Sequence, residues 1–250
     1  ERIAPGLTPH VLGTVSGAGR MALLREFVEG DLLSDLLFSP DLSRDRKVDL
    51  ASHLIEVLRL VWERTLREQP ADDDYVGQIE QRIEDVFALH PALRPLAASG
   101  MDDGLPLHAL LEECRSRQRA VAPAFSVWVH GDLNANNVVV SPSGLRFIDV
   151  HRSHFGDHLQ DVGVLLVSLI REPGLTPEVC ADLDGVSATI ARAAAEFAGA
   201  HDDAGAASRL VLARARSLIT SARVVVEEAH AGELFRSGMR ELAAFAAVAA

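Results

Sequence analysis

The segment Val129-His-Gly-Asp-Leu-Asn-Ala-Asn-Asn-Val-Val-Val140 constrains this chain more than any other. A loop rich in Asp and Asn is set between short runs of valine, which read as strands. Val138–Val140, the turn Ser141-Pro-Ser-Gly144 and the returning run Leu145–Asp149 then read as a β-hairpin. Pairing brings the two ends of a hairpin together. Asn137, at the mouth of the first strand, and Asp149, at the end of the second, therefore become neighbours. Asp132 stands in the loop before them, where its carboxylate can face a cleft.

Around this hairpin the pattern is helical, which gives an α+β chain that is mostly helix. Thr8–Val15 and Met21–Val28 are strand-like and flank the turn Ser16-Gly-Ala-Gly19. The glycines of Gly13–Gly19 superficially suggest a phosphate loop, but neither a helix nor a lysine follows, so they read as a hairpin turn. Asp31–Phe38 is a short helix candidate. Asp41 or Ser43 can cap a helix reaching Arg67, with Leu50, Leu54, Leu58 and Val61 on one face. Tyr75–Leu89 is amphipathic through Val76, Ile79, Ile83 and Phe87; His90–Gly104 reads as loop and Leu105–Ala120 as helix. From Leu159 the pattern stays helical to the end, with breaks expected near Pro173–Thr176, Gly199–Gly205 and Ala231-Gly232.

Composition excludes several classes. A length of 250 residues with 48% hydrophobic content can bury a sizeable core. A net charge of −12 leaves no basic surplus to neutralise nucleic-acid phosphates. It is compatible with a cationic small substrate. No apolar run is long enough to span a bilayer and no secretory leader is visible, so a cytoplasmic protein with no membrane association is expected. Cys114 and Cys180 lack metal-ligand spacing and read as reduced core residues. His151, His154 and His158 read as loop and helix-start residues rather than a metal cluster. Asp72–Asp74 and Asp102–Asp103 read as solvated loops, or as a rim for a cationic substrate.

One carboxylate to receive a proton and two hard oxygen ligands for Mg²⁺ are the parts that in-line phosphoryl transfer needs. The residues that carry them resemble a known family. Val129–Val140 with Phe147-Ile-Asp149 is similar to the catalytic and metal loops of the aminoglycoside phosphotransferase and choline kinase family, which is built like a protein kinase. Gly156-Asp-His-Leu-Gln-Asp-Val-Gly163 resembles the acidic pair that opens the helix after the metal loop, and Leu24-Arg-Glu-Phe-Val-Glu-Gly30 resembles the hinge. The resemblance runs over residues 1–172. It implies a protein-kinase-like C-lobe: residues 1–30 a remnant of N-lobe strands and hinge, residues 31–250 a helical catalytic lobe. Within that lobe it implies substrate-covering helices over 41–120 and catalytic and metal loops over 129–163.

Carried onto this sequence, the resemblance makes Asp132 the catalytic base and Asn137 and Asp149 the Mg²⁺ ligands. His130 would brace the catalytic loop. Asp157 and Asp161 would be structural, capping a helix and hydrogen-bonding the loop's backbone. The backbone of Glu26 and Val28 would meet the adenine of ATP or its counterpart in GTP. The implied activity is transfer of the terminal phosphate to a hydroxyl of a small molecule, such as an aminoglycoside, an amino alcohol or a sugar. Kinase-like phosphorylation of Ser or Thr in a peptide, and a degenerate binding module, are the competing readings.

The pattern departs from the family in the small lobe. The glycine-rich strand pair and the phosphate-binding lysine are not visible, and the single lysine, Lys47, follows the hinge and cannot serve. The expectation is a nucleotide lobe that precedes Glu1 or comes from a partner chain, or else a kinase that has lost it. Arg25 stands where the family has an apolar residue before the hinge.

Overall fold

The computed structural model describes residues 5–17, 19–101 and 104–247. It opens on an antiparallel pair, β1 (Val11–Gly17) and β2 (Arg20–Arg25), turned at Gly19 with φ 73°. The pair has apolar side chains and no cover. Leu12 and Met21 are 70% and 77% exposed, and Phe27 just beyond is 89% exposed. Arg25 is half-buried, so no buried cation arises at the position before the hinge.

After the hinge, β3 (Asp31–Leu32) pairs with β5 (Val138–Ser141), which pairs with β6 (Gly144–Phe147), all antiparallel. Asp31 and Leu32 thus belong to a strand, and the short helix expected from Asp31 starts two residues later as α1 (Leu33–Phe38). The backbone bonds offered by Val139 and Val140 outcompete a helical turn there. This small sheet places the segment before β3 beside the β5–β6 hairpin.

The helices follow their apolar periodicity. They are α2 (Arg44–Thr65), α3 (Tyr75–Leu89) and α5 (Leu107–Ala120). The stretch 90–104, expected as loop, contains α4 (Leu93–Ser99). Its Pro95 falls in the first turn, where a missing N–H costs nothing. A three-residue strand, β4 (Val127–Val129), precedes the catalytic loop and pairs with β7 (His154–Gly156). β7 was not legible as a strand because it is too short to show alternation.

Then come α6 (His158–Ile170), α7 (Pro177–Ala200), α8 (Ala206–Ser221) and α9 (Glu228–Ala247). The last break lies at 222–227, not at Ala231-Gly232, which sits inside α9. The β-branched run Val224–Val226 resists helix, whereas one glycine in a packed helix is tolerated.

Two apolar cores meet on α6. Leu159, Val162, Leu165, Leu166 and Leu169 pack with α2, β4 and α7, while Val167 packs with α3, α5, α8 and α9. The C-terminal helices therefore complete the core. Nearly every residue of α6 is buried, as a helix apolar on all sides requires. α8 approaches it closely: a Cβ on Gly163 would lie 2.9 Å from Ala213. Lys47 is fully buried and its Nζ meets Asp182 at 3.0 Å, tying α2 to α7. Cys114 is in the core, where burial pushes its thiol up to about 12. Cys180, expected in the core, is exposed on the first turn of α7. No helix among the described residues is long and apolar enough to cross a membrane.

Candidate active site

The loop 130–137 is held from beneath by α6. Asp161 accepts the N–H of His130 at 2.6 Å and that of Gly131 at 2.9 Å. Two turns along the same helix face, the Ser168 hydroxyl accepts the N–H of Ala135 at 3.2 Å. Burial pushes the Asp161 carboxyl up, against the facing His130 and the two backbone donors. His130 is a brace. Its Nδ1 accepts the Asp132 N–H at 3.3 Å, so Nε2 carries the proton and donates to the Ile148 carbonyl at 2.9 Å. Gly131 has φ 83°, and a Cβ there would lie 2.3 Å from the Arg152 carbonyl oxygen. Only glycine lets the loop and the segment after the hairpin approach this closely.

Above this support the functional groups converge. Asp132, Asn137 and Asp149 line one cavity of about 420 Å³. The Asn137 amide nitrogen donates to the Asp132 carbonyl at 2.9 Å, and the Asn137 carbonyl accepts the Ile148 N–H at 3.0 Å. Asn137 is thus fixed to both partners, and its amide oxygen is the atom left for a ligand. Asp149 adopts a left-handed backbone, φ 58° and ψ 40°, and its carboxylate contacts His151 Nδ1 at 2.7 Å. A non-glycine residue held in that conformation is a strain that functional sites retain. Among the described residues no three His, Cys, Asp or Glu side chains form a metal group. Asn137 and Asp149 offer an amide oxygen and a carboxylate to the same cavity, hard donors that fit Mg²⁺ with phosphate oxygens and water as its other ligands. The Asp132 carboxylate faces Arg152 at 3.1 Å.

Asp157 works away from the cavity. It caps α6 by accepting the Leu159 N–H at 3.1 Å, and it accepts from Tyr75 Oη at 3.0 Å and Arg209 Nε at 2.8 Å. Burial is the largest influence and opposes its charge, but Arg209, His158 and the Leu159 N–H together outweigh it and hold the carboxyl below its usual range. Glu26 lies at the end of β2. Its N–H donates to the His10 carbonyl at 2.8 Å, leaving its own carbonyl as the backbone group a purine could meet. Its carboxylate takes the His10 N–H and Arg146, each at 3.0 Å, which hold it below its usual range. Val28 is half-buried in the segment between β2 and β3.

Asp72–Asp74 do not rim the Asp132 cavity; Asp72 is exposed, as a solvated loop residue is, but its two neighbours hold structure. Asp73 accepts the Asp157 N–H and contacts His154 Nε2 at 3.2 Å, while Asp74 caps α3 through the Gly77 N–H at 2.8 Å. Asp102–Asp103 lie outside the described residues. The three histidines part company: His151 joins Asp149, His154 joins Asp73, and His158 is buried against Trp62, Phe125 and Phe197. Besides Asp132 and Asp149, the cavity is lined by Arg82, Arg152, Arg171, Arg216 and Arg223. Sequence reading missed these arginines. The signal was present: Arg209 and Arg216 stand seven residues apart on one face of α8, and Arg223 follows at the same interval on the turn after it.

A mostly helical lobe with a catalytic hairpin and one acid–amide–acid cavity is the architecture of a kinase-like phosphotransferase. The model of the phosphotransferase enzyme family known as APH matches residues 5–195, and the chain belongs to that family. Its fold is similar to a glucosamine kinase solved with glucosamine, ADP and inorganic phosphate: TM-score 0.57, 16% identity, over 97% of this chain and 65% of that one. It is also similar to a choline/ethanolamine kinase family protein from Mesorhizobium loti, with TM-score 0.53 and 15% identity over 95% and 79% of the two chains. A choline kinase from Cryptosporidium parvum gives TM-score 0.53 at 13% identity over 94% and 74%. The chain spans just under two thirds of the length of the glucosamine kinase. No curated protein matches it in sequence.

Proposed function

We propose that this chain carries the catalytic centre of a phosphotransferase that moves the terminal phosphate of ATP or GTP to a hydroxyl of a small molecule. The observation that carries the reading is the convergence of Asp132, Asn137 and Asp149 on one cavity. In the reaction the acceptor oxygen forms a bond to the γ-phosphorus, and the bond from that phosphorus to the β,γ-bridging oxygen breaks. The hydroxyl proton passes to the Asp132 carboxylate. Bound at Asn137 and Asp149, Mg²⁺ would supply neutralisation of phosphate charge. Asp161, His130 and Ser168 hold the loop so that Asp132 does not have to be ordered when substrate arrives. The Glu26 carbonyl and Val28 would meet the purine. A nucleoside triphosphate as co-substrate fits a cytoplasmic reaction.

The phosphates also need a cover. The apolar β1–β2 hairpin, with Leu12 and Met21 mostly in solvent, is the surface on which strands from outside Glu1–Ala250, or from a partner chain, would pack.

The test is acceptor-dependent release of ADP or GDP with Mg²⁺, alongside nucleotide thermal shift. Asp132→Ala should abolish release while the fold melts as before, and Asp149→Ala should remove the Mg²⁺-dependent thermal shift. Wild-type turnover in either variant would refute the assignment. A flat nucleotide response in a protein with an intact phosphate cover would leave the binding-module reading instead.

A further inference from the structure

Arg209 and Arg216 lie two turns apart on one face of α8, and the fold treats them oppositely. Arg209 is 1% exposed and fully met, by Asp157, Asp203 and the Val121 carbonyl. Arg216 is 5% exposed, makes one hydrogen bond, to the Ser217 hydroxyl at 3.4 Å, stands 5.9 Å from the centroid of the Tyr75 ring, and leaves its Nε without a partner. The Nε of Arg223, on the turn after α8, is also buried and unpartnered. Among the described residues no carboxylate lies within ion-pair distance of Arg82, Arg171, Arg216 or Arg223, and Arg152 alone is answered, by Asp132. Burial, then repulsion from Arg216, Arg223 and Arg152, brings Arg82 down to about 10. A buried guanidinium without a counter-charge is costly. The chain has 36 acidic residues, yet among the described residues only Asp132 and Asp149 line this cavity, and the proposed reaction uses both.

We propose that the acceptor carries an anionic group, a carboxylate or a phosphate, held by Arg82, Arg216 and Arg223 while its hydroxyl faces Asp132. This rests on the phosphotransferase reading of the same cavity. Guanidinium forks match both oxyanions, and the hydroxyls of Ser217 and Thr220 on the same wall add neutral donors. Amine-bearing acceptors are rejected by like charge.

The test is calorimetric binding to the full chain of four matched probes: glucuronate, glucose 6-phosphate, glucose and glucosamine. Glucuronate, glucose 6-phosphate or both should bind, more tightly than glucose or glucosamine; which one binds tells carboxylate from phosphate. Arg82→Gln and Arg223→Gln, half-buried positions that keep the core intact, should each weaken binding about 10-fold, the loss of one charge-assisted bond. Glucosamine binding as tightly as the better anionic probe, no binding of either anionic probe, or anion binding indifferent to both substitutions would overturn the proposal. Displacement of the anion by ATP would overturn it too, because the arginines would then serve the nucleotide. Nucleotide diphosphate release is scored separately. Anion binding through the arginines with no release in a protein that has an intact phosphate cover would sink the phosphotransferase reading, whereas release with an amine and not an anion would sink only this one.

Discussion

Asp161→Ala should loosen the catalytic loop by a measurable and bounded amount. Asp161 is 1% exposed and accepts two backbone N–H groups, those of His130 and Gly131. Alanine leaves both donors buried without an acceptor, at about 1–3 kcal/mol each, or ~2–6 kcal/mol together. Burial of the carboxylate, visible in its raised pKa, opposes this. The expected loss therefore sits in the lower half of the range, about 2–3 kcal/mol. For a domain of this size that is a fall in Tm of about 5–10 °C. Urea unfolding at pH 7, followed by circular dichroism, would measure it. Asp161→Asn is the control: it keeps one oxygen acceptor but turns an amide donor towards the second N–H, so its loss should be smaller. A change under about 0.5 kcal/mol in Asp161→Ala would refute the claim that α6 holds the loop through these bonds.

Other changes separate structure from chemistry. Lys47→Met should leave turnover intact, because Lys47 meets Asp182 between two helices and not phosphate; loss of activity at unchanged Tm would put it in the site. Gly131→Ala forces a Cβ against the Arg152 carbonyl at positive φ, and should cost about 1–3 kcal/mol of stability together with most of the activity; normal kinetics would show that the loop can shift. His158 has its pKa lowered, first by burial and then by Arg209 against Asp157. Its contribution is present above the unfolded value of about 6.5 and is lost as pH falls from there towards the folded value. His158→Leu should flatten stability between pH 6.5 and 5, and an unchanged acid slope by thermal melts would count against it. His154 is raised, chiefly by its bond to Asp73, so its contribution is full below about 6.5 and fades as pH rises through the folded value; His154→Gln should remove that alkaline decline.

The residues with local signatures were the legible ones. Tyr75–Leu89 shows helical period over four apolar positions, and the structure has a helix with those bounds. The hairpin announces itself through a run of valines, a turn containing Pro and Gly, and an apolar return through Leu145 and Phe147. What the sequence hid depends on partners distant in the chain. β7 is a strand only because β4 lies beside it. Asp157 has its buried role because Tyr75 and Arg209 arrive from other helices, and Asp73 has its role because His154 and the Asp157 N–H lie opposite it. The arginine-lined wall is assembled from α3, α6, α8 and two turns, and no window of sequence contains it. Periodicity can show that Arg209 and Arg216 share a face. It cannot show that only the first has a carboxylate opposite.

Net charge does not set the field inside the cavity, for the same reason. A chain at −12 suggests attraction for cations. Yet charges on the outer surface, separated from the cavity by more than the Debye length of about 8–10 Å, are screened by salt. Charges lining a cavity are not. At 4 Å and an effective dielectric constant of about 20, a single pair interacts by roughly 4 kcal/mol. Several of the acidic side chains that do lie inside are spent on structure: Asp157 and Asp203 on Arg209, Asp161 on backbone donors, and Asp182 on Lys47. The field an acceptor meets is therefore set by the few groups that remain: Asp132 and Asp149 at one end, and arginines without carboxylates at the other. Such a field orients an acceptor with an anion at one end and a hydroxyl at the other, and it does so whatever the sign of the whole chain.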